Sequence, residues 1–208
     1  MTQIVIANAD DCSTNNDFLH GVFRFRHRIF YERLGWEVKH ENGEERDSYD
    51  DLNPVYIVAK NQRSEIEGCA RLLPTMGPYM LKNTFPQLLC GGAAPENPTI
   101  WELSRLAVSP TSNCSRGGRA LRALTLEMMQ ALVRFANQQG IRQYIVVTSV
   151  SFERLLVRIG LPIYRFQGLA PQRIGKVNTV ACWVDINDQT LYAVRSSGIK
   201  TPEHKEAA

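Results

Sequence analysis

Apolar residues recur at helical spacing over residues 17–34, where Phe18, Val22, Phe25, Ile29 and Leu34 mark one stripe. Asn15 or Asn16 is placed to cap this helix and Gly35 to end it. Polar and charged residues then dominate residues 36–53, which read as a long loop; inside a compact domain such a loop often serves as a lid or binding element. Two short apolar runs, residues 55–59 and 68–73, flank a polar turn and predict a β-hairpin. Five prolines and three glycines make residues 74–99 an irregular excursion, with one short helix expected near residues 84–89. The strongest helical pattern covers residues 119–139: Leu121, Leu124, Met128, Leu132, Phe135 and Ala136 share a face, and Gly140 stops it. Residues 101–108, 144–150 and 180–184 predict strands, residues 152–159 a short helix, and the polar tail from residue 196 is expected to fray. The order predicts an α+β (α/β) sandwich, a mostly antiparallel central sheet flanked by helices, as one domain spanning residues 1–208.

Composition narrows the class. With 208 residues and 44% hydrophobic content the chain can bury a substantial core. No apolar run approaches the roughly 20 residues that span a bilayer. The first ten residues lack a basic segment followed by an apolar one, so a cytoplasmic location is expected. Five cysteines, none in a C-x-x-C spacing, fit a reduced protein with incidental thiols. The histidines show no metal-ligand spacing, so no metal is expected. The net charge of +3 conceals an asymmetry: residues 1–70 carry 8 Lys+Arg against 13 Asp+Glu, net −5, and residues 71–208 carry 16 against 8, net +8. The basic part suits an acidic protein or a phosphorylated ligand; no helix-turn-helix, zinc-finger or RNP pattern points to nucleic acid.

Four features could carry chemistry. Arg24, Arg26, Arg28 and Arg33 crowd the first helix, and an acidic cluster of Glu41, Glu44, Glu45, Asp47, Asp50 and Asp51 follows. Asp47 and Asp50 lie one helical turn apart and would suit a cationic ligand; a solvated acidic loop fits them too. Trp36 could hold a cation on its ring or staple the loop to the core. In the strand Trp101-Glu102-Leu103-Ser104-Arg105, alternation places Glu102 and Ser104 on one face and Leu103 and Arg105 on the other. A buried Glu102 would suit a general base; an edge strand with one wet face is the other reading. Ser115-Arg116-Gly117-Gly118-Arg119-Ala120, opening the long helix, has the makings of a phosphate cradle, although short Gly/Arg runs are common.

Together these pieces resemble LuxI-type acyl-homoserine-lactone synthases. The carriers are Arg26-x-x-x-Phe30-x-x-Arg33-Leu34-Gly35-Trp36, Glu45-x-Asp47-x-Tyr49-Asp50, Gly68-Cys69-Ala70-Arg71-Leu72-Leu73-Pro74-Thr75, Pro78-Tyr79-Met80-Leu81 with Phe85, and Glu102-Leu103-Ser104-Arg105, in family order. The resemblance implies an N-acyltransferase-like fold and a reaction between an acyl thioester on acyl carrier protein and the amine of S-adenosylmethionine. Lactone closure then releases methylthioadenosine, a quorum-sensing signal is the product, and no cofactor is needed. It places Arg26, Phe30, Trp36, Asp47, Asp50 and Arg71 at S-adenosylmethionine, and Phe85 beside the thioester with its backbone N–H as a candidate oxyanion donor. Glu102 would be the base, acting through water, and Arg105 would anchor the acidic loop or substrate. An acyl pocket is expected from Leu124, Met128, Val146, Thr148 and Leu156, with an unsubstituted chain favoured by Val146. Carrier-protein docking is expected on Arg116, Arg119, Arg122, Arg134, Arg154 and Arg158. The rivals are an acetyl-CoA-dependent N-acetyltransferase, which the Gly/Arg run favours and the acidic loop with Trp36 disfavours, and a non-enzymatic binding module.

Overall fold

The structure, a computed structural model, describes residues 2–8, 16–109 and 117–196. Its framework is a sheet in the order β1-β4-β5-β6-β7-β10-β8, with β9 pairing β10. The strands are β1 (Gln3–Asn8), β4 (Val55–Lys60), β5 (Ile66–Pro74), β6 (Ile100–Val108), β7 (Gln143–Ser149), β8 (Ile163–Arg165), β9 (Gln172–Ile174) and β10 (Val177–Asp185). All neighbours are antiparallel except β6 and β7. A parallel pair needs a crossover, which α3 (Gly117–Gln139) supplies.

On one face, α3 lays its apolar stripe over the sheet, burying Leu124, Met128 and Leu132 against Ile57, Leu72 and Leu103. The helices α4 (Val150–Arg158) and α5 (Asp188–Ser196) complete this layer. On the other face, α1 (Asn16–Arg26) packs Val22, Phe23 and Phe25 onto Tyr56, Val58 and Cys69. A π-helix, His27–Arg33, continues α1; its wider turn ends before Gly35, which takes a φ of +62° that an L side chain rarely adopts. No helix among the described residues is long and apolar enough to cross a membrane.

The stretch read as a loop, residues 36–53, has structure of its own. A two-strand hairpin, β2 (His40–Glu41) and β3 (Glu44–Glu45), turns through Asn42 and Gly43, and a 3-10 turn, Ser48–Asp51, follows. Asp47 caps that turn: its Oδ1 accepts from the Tyr49 N–H at 2.9 Å, while its own N–H donates to Asp50 Oδ2 at 2.9 Å. The excursion of residues 74–99 holds two short helices, α2 (Met80–Asn83) and a 3-10 turn, Pro86–Leu89. Strands β1, β8 and β9 and helix α5 add to the predicted set.

Two departures from regular sheet geometry build the site. The strands β6 and β7 pair only at Ile100–Gln143, Trp101–Tyr144 and Glu102–Ile145, although β6 runs on to Val108 and β7 to Ser149. Beyond Glu102 they splay apart and open a V. The second departure is a bulge in β6. Cys69 faces Ala107 and Arg71 faces Ser104, so Arg105 and Leu106 oppose the single residue Ala70. Arg105 takes a φ of +51°, a conformation that costs a non-glycine residue about 1–2 kcal/mol.

Candidate active site

The bulge overturns the predicted alternation. Arg105 turns to the face that carries Glu102 and Ser104, while Leu103 stays in the α3-side core. Six charged groups then meet beneath α1. Arg26 donates through Nε to Glu45 at 2.5 Å and through its two terminal nitrogens to Asp50 at 2.7 and 3.0 Å. Arg71 donates to Asp47 at 2.5 and 3.1 Å, to Asp50 at 2.8 Å and to Ser104 Oγ at 3.1 Å. Arg105 reaches Glu45 at 2.9 Å and Asp47 at 2.7 Å. The Tyr56 hydroxyl completes Asp50 at 2.7 Å.

Three guanidiniums thus neutralise three carboxylates, and each planar fork is matched to its acceptors. Arg26, Arg71 and Glu45 are fully buried. Burial alone would raise the Asp50 carboxyl, but Arg26 and Arg71 outweigh it and hold the group far below the usual carboxylate range. Glu45 is likewise pulled below its ordinary value against burial, by Arg105 and Arg26. Met80 Sδ fills the remaining corner, 3.2 Å from Arg71 Nη2 and 3.3 Å from Arg105 Nη1.

Glu102 stands beside this network. Its two carboxylate oxygens accept the Met80 and Leu81 N–H groups, at 2.8 and 2.7 Å, at the start of α2. Burial raises its carboxyl above the ordinary value, against these two hydrogen bonds. The Phe85 N–H donates to Met80 O at 2.9 Å. It is therefore spent inside the turn, which argues against the expected oxyanion role; the half-buried Phe85 ring is what faces the open space.

That space is a cleft of about 500 Å³ in the V between β6 and β7, a volume that suits a small-molecule ligand. Phe30, Trp36, Asp47, Phe85, Glu102 and Arg105 border it on one side. Phe30 and Trp36 stack at 5.1 Å with 29° between their planes, and the Arg105 guanidinium lies 5.6 Å from the Phe30 ring centroid. Arg26, Asp50 and Arg71 do not reach the cleft; they form the layer that holds Asp47 and Arg105 in place.

The far wall contains Val146, Thr148 and Phe152. Leu124, Met128 and Leu156, expected in an acyl pocket, lie instead in the α3-side core. The apolar stripe that makes α3 recognisable in the sequence is consumed by packing on the sheet. In α4, Phe152 reaches the cleft, one turn before Leu156. Of the expected docking arginines, Arg154 and Arg158 are exposed on α4 and share a shallow surface depression with Arg165, while Arg122 and Arg134 are exposed on α3. Arg116, with Ser115 before it in the Gly/Arg run, and the Arg119 side chain fall outside the described residues.

Sequence reasoning left Glu45, Tyr56 and Met80 out of the site. The motifs Glu45-x-Asp47-x-Tyr49-Asp50 and Pro78-Tyr79-Met80-Leu81 were the available signals for Glu45 and Met80; nothing local marks Tyr56.

The family model for autoinducer synthases matches residues 10–194. The chain belongs to the autoinducer synthase family. Among its relatives, the acyl-homoserine-lactone synthase of Aliivibrio fischeri is 38% identical over 191 residues, covering 92% of this chain and 98% of that protein. The Ralstonia solanacearum synthase is 44% identical over 82% of this chain and 83% of its own length. The solved structure of the synthase LasI superposes with a TM-score of 0.83 at 36% identity, covering 93% of this chain and 94% of that one. The CoA-dependent synthase BjaI, solved with SAM and isopentyl-CoA, gives 0.81 at 32% identity, covering 97% and 92%. An acetyltransferase of the GNAT family from Staphylococcus aureus, 13% identical with a TM-score of 0.52 over 89% of this chain, shares the fold alone. This synthase is thus an acyltransferase on a GNAT-like sheet.

Proposed function

We propose that the synthase joins an acyl chain to S-adenosylmethionine and releases an acyl-homoserine lactone. The amine nitrogen attacks the thioester carbonyl, the C–S bond breaks and the thiol departs. The methionine carboxylate oxygen then bonds to the γ-carbon, the sulfonium C–S bond breaks, and neutral methylthioadenosine leaves. The observation that carries the reading is one cleft bordered by the Trp36–Phe30 stack, Asp47 and Glu102 and continuing along the apolar wall at Val146. Aromatic faces and a carboxylate suit a sulfonium and an amine. The attacking amine must shed a proton, and Glu102, whose carboxyl burial raises, is assigned to receive it through water.

The acyl donor we assign is acyl carrier protein, an acidic partner for the exposed Arg154 and Arg158. Acyl-CoA is the second reading, favoured by the likeness to BjaI.

The test is product analysis. Protein, S-adenosylmethionine and a panel of acyl carrier proteins and acyl-CoAs are combined, and mass spectrometry follows lactone and methylthioadenosine. Both products are expected in equal amounts, with Glu102→Gln lowering kcat by about 10²-fold or more. Absence of both with every donor refutes the reading.

A further inference from the structure

The cleft has two kinds of cation. Arg105 is committed to Glu45 and Asp47, and the arginines behind it are saturated by carboxylates. Lys39 and Lys176 border the cleft without an acidic partner among the described residues. They differ in surroundings. Lys39 lies two residues from Glu37, which borders the same space on the Trp36 side. Lys176 stands at the tip of the β9–β10 hairpin, directly after Gly175, whose φ is +55°. The eight residues 172–179 include Arg173 and Lys176 and no acid, so this wall of the mouth is purely basic.

The strand register measures how far that tip is from the chemistry. Ile145 sits opposite Glu102, and Ser149, four residues on, pairs with Thr179. Lys176 is three residues beyond Thr179. At about 3.3 Å per residue the tip stands roughly 20 Å from Glu102 along the strands. An extended phosphopantetheine arm has a similar length from its thioester sulfur to its phosphate. Both donors considered above, an acyl carrier protein and an acyl-CoA, carry that arm.

We propose that Lys176, at the tip of the β9–β10 hairpin, binds the phosphate of the phosphopantetheine arm while the thioester lies near Glu102 and Phe85. The inference rests on the reading of the protein as a thioester-using synthase. Lys176 is a binding residue that touches the donor far from the reacting atoms. Its removal therefore acts on donor KM and leaves the handling of S-adenosylmethionine alone.

The test compares wild type, Lys176→Ala, Lys176→Glu and Lys176→Arg with three donors of one acyl chain: acyl carrier protein, acyl-CoA and acyl-pantetheine, which lacks the phosphate. Expected are a rise of about tenfold in the KM of phosphate-bearing donors for Lys176→Glu, a smaller rise for Lys176→Ala and near-wild-type values for Lys176→Arg. The KM for acyl-pantetheine and for S-adenosylmethionine should not move. Equal rises for acyl-pantetheine and the phosphorylated donors overturn the proposal, as does an unchanged KM for both phosphorylated donors. If the effect is confined to acyl carrier protein, the proposal also fails, because the arm is common to both donors and the lysine is then reading the protein. Wild-type protein that yields neither lactone nor methylthioadenosine with any donor refutes the functional reading itself, a result visible before any variant is made.

Discussion

The two walls of the cleft are held by different forces. The α1-side wall owes its shape to a closed set of ion pairs: Arg26, Arg71 and Arg105 against Glu45, Asp47 and Asp50, with Tyr56 and Ser104 filling the remaining bonds. The β7–β10 wall owes its shape to small and branched side chains, with Val146 packed on Val180 and Cys182 and with Phe152 at the start of α4. An ion-pair network is all or none, since removing one member leaves another charge buried and unpaired. An apolar wall responds in proportion to the volume changed. One side of the active site is therefore rigid and intolerant, and the other is adjustable.

Breaking the rigid wall should give the largest effect. Arg26→Met leaves Glu45 and Asp50 without their buried cation and should cost about 3–5 kcal/mol of stability, read by chemical denaturation. In a chain of this size that lowers Tm by roughly 10 °C. A loss below 1 kcal/mol would show that the network is not the support described.

The next effect separates the core from the cleft. Leu124→Ala should cost about 2–5 kcal/mol and leave the ranking of acyl chain lengths unchanged, because Leu124 lies on the α3 side of the sheet. Phe152→Ala should do the opposite, changing stability less and raising the relative kcat/KM for longer chains by roughly 10–100-fold. A chain-length shift in Leu124→Ala would place the acyl tunnel on the wrong face.

The smallest effect is a pH dependence. Asp50 and Glu45 have folded-state carboxyls held below their ordinary values, so their stabilisation is present above the unfolded carboxylate range near pH 4 and is lost as pH falls through the lower folded values. Glu102 is raised, so its carboxylate opposes folding at neutral pH, and protonation on acidification relieves that cost. Two lowered carboxyls against one raised one predict a net loss of stability below about pH 4. Asp50→Asn should flatten the slope of unfolding free energy against pH there; an unchanged slope would exclude Asp50 as a source.

How much of this could be read from the chain follows from the same division. The long helix, the hairpin at residues 55–73 and the strand around Glu102 were legible because periodicity is a local signal. The charged residues were legible as a set because Arg26, Asp47, Asp50, Arg71, Glu102 and Arg105 sit in a familiar order. Their layering was not. Nothing in the sequence says that Arg26, Asp50 and Arg71 bond one another out of reach of the cleft while Asp47 and Arg105 face it, because that depends on contacts between residues 21 to 60 positions apart. The strands β8 and β9 escaped because three residues carry no period, and Leu124, Met128 and Leu156 were misplaced because an apolar residue looks the same in a core and in a tunnel.

The extra residue in β6 has an evolutionary consequence. After the bulge, Ala107 faces α1 and Val108 faces α3, the reverse of the parity set by Glu102 and Leu103. A deletion of one residue at 105 or 106 would restore regular pleating with Ala107 and Val108 on their present faces, at the cost of withdrawing the guanidinium from Glu45 and Asp47. Descendants of this chain can lengthen or shorten the turn between β4 and β5 one residue at a time. Within β6 they cannot pass through a single-codon loss, so its length should be frozen wherever the six-charge network is kept.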